Sequence, residues 1–191
     1  MSSNPSQRCF IAIELDDAAR ADLADFMQQV NIEGLRPTAP ENLHLTVKFL
    51  GNVVPDLIAR VAEALEQAAN DVAPFELHIE GIDYIPHARR PRVLAARCDV
   101  PPTLSELVDQ TESMMELLGF PREGRPYRAH ITLGRFRRPP RLVAAVDSFD
   151  TGLISVPVDH ITLMASDLQP TGPVYSAVSR ALLPEVSDEQ M

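Results

Sequence analysis

Asn42-Leu43-His44-Leu45-Thr46-Val47-Lys48-Phe49-Leu50-Gly51 is an apolar, strand-like run that carries a histidine and a threonine two positions apart. The pattern returns 86 residues on, from His44 to His130, in Tyr127-Arg128-Ala129-His130-Ile131-Thr132-Leu133-Gly134-Arg135. Successive side chains of an extended strand alternate faces, so residues two apart point the same way. This predicts His44, Thr46 and Lys48 on one polar face, with Leu43, Leu45 and Val47 directed into a core. In the second run Arg128, His130 and Thr132 share a face opposite Ala129, Ile131 and Leu133. Two such strands brought together would make a site with two imidazoles and two hydroxyls.

The chain of 191 residues can bury a real core, as one domain or as two small lobes packed together. Its hydrophobic content of 45% suits a folded protein. No apolar run approaches a membrane span, and Met1 to Arg8 is polar, without the apolar region of a signal peptide. Cys9 and Cys98 each lie in an apolar run and read as buried free thiols. Together these features predict a cytoplasmic protein. A net charge of −10 argues against broad coating of nucleic acid. The arginines are unevenly spread, however: seven fall between Arg122 and Arg141 and four between Arg89 and Arg97. Such a basic rim around the second histidine strand could hold a few phosphates while the body stays acidic.

Taken in order, Cys9 to Leu15 alternates as a strand, and Asp16 and Asp17 open a helix with Leu23, Phe26, Met27 and Val30 on one face. Leu35 to Pro40 reads as a proline-punctuated loop. Pro55 to Asn70 is a second helix with Leu57, Ile58, Val61 and Leu65 as its apolar stripe. Phe75 to Ile85 and Arg92 to Val100 form a strand pair. A third helix runs from Pro101-Pro102-Thr103 to about Leu118, with Gly119 ending it. A short helix is expected over Arg141 to Phe149, then strands over Ile154 to Leu168 and Val174 to Leu183 and a frayed tail to Met191. Each half reads strand, helix, His-x-Thr strand, helix, strand. A duplicated α+β fold follows, with each lobe carrying one histidine to a shared cleft.

Histidine titrates near neutral pH, so a pair can supply one neutral base and one protonated acid at once. In-line displacement at phosphorus needs that combination. One group activates water while the other protonates the oxygen that leaves on the opposite side. Threonine hydroxyls can hold the non-bridging oxygens as charge builds on them. The scheme needs no metal or cofactor, and the motifs lack the third ligand of a catalytic zinc site. No Ser-His-Asp or Cys-His spacing, Walker loop or dinucleotide loop is present.

With these motifs the chain resembles the 2H phosphoesterase superfamily. It is most similar to the RNA 2′,3′-cyclic phosphodiesterases, historically called 2′-5′ RNA ligases. Asn-Leu-His-Leu-Thr-Val-Lys-Phe-Leu-Gly and His-Ile-Thr-Leu-Gly-Arg carry the resemblance. The opening strand, Ser166-Asp167-Leu168, Gly172-Pro173 and Tyr175 extend it over most of residues 9 to 183. Ala129 stands where the family often has proline, a change in the backbone lead-in that leaves the chemistry intact. The resemblance implies an α+β, bilobal fold spanning 1–191 as a single domain of two intertwined lobes, with 184–191 as a flexible tail. It implies hydrolysis of a 2′,3′-cyclic phosphate to a 2′-phosphomonoester, with His44 as proton donor and His130 as proton acceptor. Thr46 and Thr132 would bind the phosphate, and Phe49 and Arg135 would flank a nucleobase. The acid and base roles rest on the resemblance alone. Phe49 and Arg135 each sit five positions after their histidine. Both break the strand alternation, which places them at or past the strand ends, where Gly51 and Gly134 allow a bend.

His160-Ile161-Thr162 is a third His-x-Thr without a following Gly-Arg or nearby basic residue, and it reads as a core-sheet strand. His78 and His87 have no partner motif. The expected substrates are RNA 3′ ends or small nucleotides bearing a 2′,3′-cyclic phosphate. The expected protein is a monomer with no obligate protein partner and no membrane association. Competing readings are the same site acting on a tRNA-splicing by-product, minor 2′-5′ ligation by reversal, an RNA-end binding module without turnover, and a metal hydrolase.

Overall fold

The two His-x-Thr strands lie side by side at the centre of one antiparallel sheet in the computed structural model, which describes residues 6–138, 154–170 and 172–184. The first motif opens β3 (His44–Val53) and the second opens β6 (His130–Phe136). Outward from β3 come β1 (Gln7–Glu14), β8 (His160–Gln169) and β9 (Gly172–Leu182). Outward from β6 come β5 (Val93–Cys98), β4 (Phe75–Ile85) and β7 (Ile154–Val158). The strand order is therefore β7-β4-β5-β6-β3-β1-β8-β9, a row of eight that reads as two matched sets of four. The lobes are not the two halves of the sequence. The C-terminal β8 and β9 complete the lobe begun by β1 and β3, and β4, β5, β6 and β7 build the other lobe.

Among the described residues, three α-helices cover one face. In α1 (Asp17–Gln29) the Asp16 carboxylate caps the first turn by accepting from the Ala19 N–H at 3.0 Å, and Ala19, Leu23 and Phe26 are buried. α2 (Pro55–Ala69) and α3 (Pro102–Leu117) both begin at proline, whose missing N–H costs nothing at a first helical position. Gly119 closes α3 at φ +90°, a conformation glycine adopts without strain. The main core joins Leu23, Val61, Leu65, Leu104 and Leu107 of these helices to Ile11, Ile13, Leu45 and Ile131 of the sheet. Alternate residues of β1 face the other way, where Phe10 and Ala12 pack with Met164 and the partly buried Tyr175. That second face, which no helix of the described residues covers, carries the candidate site. Cys9 and Cys98 are buried free thiols, as expected, and burial pushes Cys98 up to about 12.

The sheet corrects three readings. Leu35–Pro37, expected within a loop, is a short strand, β2, paired antiparallel with β6. It docks there because Gly134 of β6 has no side chain: a Cβ would lie 2.9 Å from the Arg36 carbonyl oxygen. Ile154 to Leu168, expected as one strand, is two. The chain leaves β7 at one edge, passes Asp159, and enters β8 in the opposite lobe. The second motif strand begins at His130 rather than Tyr127. The helix expected over Arg141 to Phe149 lies outside the described residues.

Candidate functional site

β3 and β6 touch through the pair Leu45 and Ile131, each one residue after its histidine. Both are fully buried on the helix side. Antiparallel register about that pair sets His44 beside Thr132 and Thr46 beside His130, all on the open face. The Tyr127 hydroxyl donates to the Thr46 carbonyl at 2.9 Å and ties the lead-in of the second motif to the first.

The two imidazoles are anchored identically. His44 Nδ1 lies 2.8 Å from the Asn42 carbonyl, and His130 Nδ1 lies 2.8 Å from the Arg128 carbonyl, each two residues upstream. A carbonyl only accepts, so each Nδ1 carries the proton and each Nε2 is left for chemistry. His44 Nε2 sits 3.0 Å from the Thr46 hydroxyl. Phe10 and Tyr175 flank the His44 ring at centroid distances of 4.8 and 5.3 Å. Burial is the main reason that His44 is held below the ordinary histidine range. Its bond to the Asn42 carbonyl opposes the shift, while the positive charges of Arg135 and His130 reinforce it. Those two groups thus act on His44 across the lobe boundary. The Asn42 amide also donates to the Pro173 carbonyl at 2.9 Å, fixing the first motif against the start of β9.

Phe49 and Arg135 reach the open face by a route the alternation rule misses. Both lie within their strands. In the β1–β3 ladder Ala12 pairs with Thr46 and Ile11 with Lys48, leaving Val47 as an extra residue. In the β5–β6 ladder Ala95 pairs with Thr132 and Leu94 with Gly134, leaving Leu133 extra. Each strand therefore bulges three residues after its histidine, and each bulge swaps the faces beyond it. Phe49 comes out 67% exposed, 6.3 Å from the Phe10 ring. Arg135 comes out at the equivalent position. Gly134 serves the approach of β2 rather than a bend.

The same bulge overturns the reading of Lys48 as a member of the polar face. Lys48 is buried on the helix side, where its Nζ donates to Glu112 Oε2 at 2.6 Å and to the Pro121 carbonyl at 2.9 Å. Arg128 is also no strand neighbour of His130; it precedes the strand and lies 3.8 Å from Asp83.

Glu14 pairs across the ladder with His44, and Arg97 pairs with His130, so these two residues hold equivalent places in the lobes. Neither was apparent from sequence, because cross-strand pairing leaves no local signal. Glu14 is tied up by neighbours. Its carboxylate accepts from Arg180 at 2.7 and 3.1 Å and from the Thr162 hydroxyl at 2.7 Å, and it lies 3.2 Å from His160 Nε2. The third His-x-Thr is therefore part of an ion-paired network, and its side chains are spent on Glu14. His78 is likewise spoken for, with its backbone N–H and ring both bound to Asp99. Among the described residues no group of three or more His, Cys, Asp or Glu is arranged to hold a metal ion, and no helix is long and apolar enough to cross a membrane.

Comparison with known proteins points to one family. Residues 13–95 and 98–175 match the LigT like phosphoesterase family. An RNA 2′,3′-cyclic phosphodiesterase of Archaeoglobus fulgidus is 30% identical over 171 residues, covering 88% of this chain and 96% of that one. One of Thermus thermophilus is 30% identical over 180 residues, covering 91% and 88%. A crystal structure of a Thermus thermophilus protein superposes with a TM-score of 0.80 at 29% identity, covering 93% of this chain and 98% of that one. Escherichia coli LigT complexed with 3′-AMP gives 0.79 at 25% identity, covering 94% and 99%.

Proposed function

The chain belongs to the LigT like phosphoesterase family, and from that premise we propose that it hydrolyses RNA 2′,3′-cyclic phosphate ends to 2′-phosphomonoesters by two-histidine acid–base catalysis. The observation that carries the reading is the matched anchoring of His44 and His130 on adjoining strands, each with Nδ1 on a carbonyl, which leaves Nε2 for proton transfer. His130 Nε2 takes a proton from water as the water oxygen bonds to phosphorus. The P–O3′ bond breaks on the far side, and His44, protonated at Nε2, gives its proton to the departing oxygen. Exchange of both protons with solvent restores the pair. Thr46 and Thr132 hydroxyls donate to the non-bridging oxygens as their charge grows. Phe49 and Arg135 flank the terminal base, one by its ring face and one by its guanidinium plane.

RNA is favoured as the substrate class because the named relatives act on it, and the complex of LigT with 3′-AMP extends the class to small nucleotides. Ligation through a 2′-5′ bond is the same step reversed and is minor in water. The reading takes the protein as a cytoplasmic monomer that needs no metal or cofactor. The test is incubation of an RNA oligomer ending in a 2′,3′-cyclic phosphate with the protein in EDTA, followed by identification of the new end. A 2′-phosphate is expected. A 3′-phosphate, loss of turnover in EDTA, or binding without cleavage would overturn the reading.

A further inference from the structure

Arg36 of β2 and Arg135 of β6 are direct cross-strand partners, so both side chains leave the same face of the sheet. Like charges set opposite each other weaken a strand pair. Neither guanidinium has an ion pair or hydrogen bond among the described residues, although the chain holds 27 acidic residues to 17 basic ones. Arg137, two positions beyond Arg135, and Arg138 are equally without an acidic partner among those residues. Gly34, Leu35, Arg36, Arg137 and Arg138 line an open groove of ≈ 640 Å³ beside this pair. The other arginines near the two histidines are neutralised. Arg97 pairs with Glu80 and Asp83, Arg128 with Asp83, and Arg180 with Glu14. Arg36, Arg135, Arg137 and Arg138 thus form one path of positive charge, leading from Arg135 over β2, that has no acidic partner among the described residues.

We propose that Arg36, Arg137 and Arg138 bind phosphodiester groups of the RNA chain on the 5′ side of the cyclic end. They would make the enzyme select oligonucleotides over mononucleotides. This rests on the reading of the chain as a cyclic phosphodiesterase. A mononucleotide has its only phosphate between the histidines and nothing to place on the arginines. An oligomer carries further phosphates out of the site, and this arginine path attracts them while the net charge of the body is negative. Arginine suits the task because its fork of N–H donors meets two phosphate oxygens at once.

The test compares wild type with Arg36→Gln, Arg137→Gln and, as a control, Arg122→Gln, whose guanidinium pairs with Glu116 on α3. Two substrates are used, adenosine 2′,3′-cyclic phosphate and a short oligoadenylate with the same end. Binding of a labelled oligoadenylate ending in a 2′-phosphate is followed by anisotropy over a range of salt. Loss of a charge-assisted phosphate contact should lower kcat/KM on the oligomer about tenfold through KM and leave the mononucleotide within about twofold. The slope of log affinity against log salt should fall by about 0.7 for each arginine removed. Equal loss on both substrates, or no loss on the oligomer, overturns the proposal. If wild type turns over neither substrate but Arg36→Gln still weakens oligomer binding, the catalytic reading fails and the arginine path stands. If oligomer binding is unchanged in both variants, the path fails whatever the turnover.

Discussion

Leu45 and Ile131 are the antiparallel ladder pair that joins β3 to β6, and each follows its histidine by one residue. A pseudo-twofold axis runs between them and relates His44 to His130, Thr46 to Thr132 and Phe49 to Arg135. Because both side chains are fully buried, the contact holds the register on which the site depends. The bulges at Val47 and Leu133 obey the same symmetry, so the two strands turn their fifth residue outward together.

The symmetry fails one position earlier, and a stability measurement can read the difference. Where β6 has Gly134, β3 has Lys48, which is buried against Glu112. Lys48→Met leaves the Glu112 carboxylate buried without its partner and should cost about 3–5 kcal/mol in denaturant unfolding. The double variant Lys48→Met, Glu112→Leu should recover most of that loss. A single variant as stable as wild type would show that the pair is not needed.

Gly134 can be tested by adding one carbon. A Cβ there would stand 2.9 Å from both the Arg36 carbonyl oxygen and Leu35 Cδ1. Gly134→Ala must push β2 off β6 and should lower stability by about 1–3 kcal/mol, as overpacking does. Hydrogen exchange should quicken in Leu35 to Thr38, where Thr38 N–H donates to the Leu133 carbonyl at 2.8 Å. Unchanged exchange there would mean that β2 does not depend on the glycine.

His44 should titrate low in the free protein, mainly because burial disfavours its charged form. NMR of the imidazole should give a midpoint below 6.5, so that the ring is neutral at pH 7. Adding inorganic phosphate, a stand-in for the cyclic phosphate, should raise the midpoint by placing negative charge beside the ring. The proposed acid is then charged by its substrate. A midpoint at or above 6.5 without phosphate would contradict this picture.

Glu14 sets a separate limit at acid pH. Arg180 is the main group holding its carboxyl down to about 2, against 4.5 for a free glutamate. A depressed folded pKa stabilises the protein above the unfolded pKa, and that stability is lost as pH falls from about 4.5 toward about 2. Glu14→Gln should therefore cost on the order of 2 kcal/mol at pH 7 and progressively less below pH 4.5. A penalty that does not shrink on acidification would show that the carboxylate's charge is not what Arg180 and Thr162 recognise.

Much of this was legible in the residues. The repeated His-x-Thr, the capped helices and the lone, unmatched His160 all rest on local pattern, and local pattern survives folding. What escaped depends on partners. A bulge is one residue too many only relative to the strand beside it, so the inward turn of Lys48 and the in-strand exposure of Phe49 and Arg135 had no signal. β2 is three residues long and ends in proline, and it exists because Gly134 lies 99 residues away from Leu35 in the chain yet under it in the sheet. The break at Asp159 is a single residue between two strand-like runs, although it separates strands of different lobes.

The central claim is that the pair His44 and His130 performs the chemistry and His160 does not. Hydrolysis of an RNA oligomer with a 2′,3′-cyclic phosphate end should be compared in wild type, His44→Ala, His130→Ala and His160→Ala. Removing either member of an acid–base pair should lower kcat by about 10²-fold or more, and His160→Ala should stay within about threefold of wild type. Loss of turnover in His160→Ala, or its survival in His44→Ala or His130→Ala, would contradict the account.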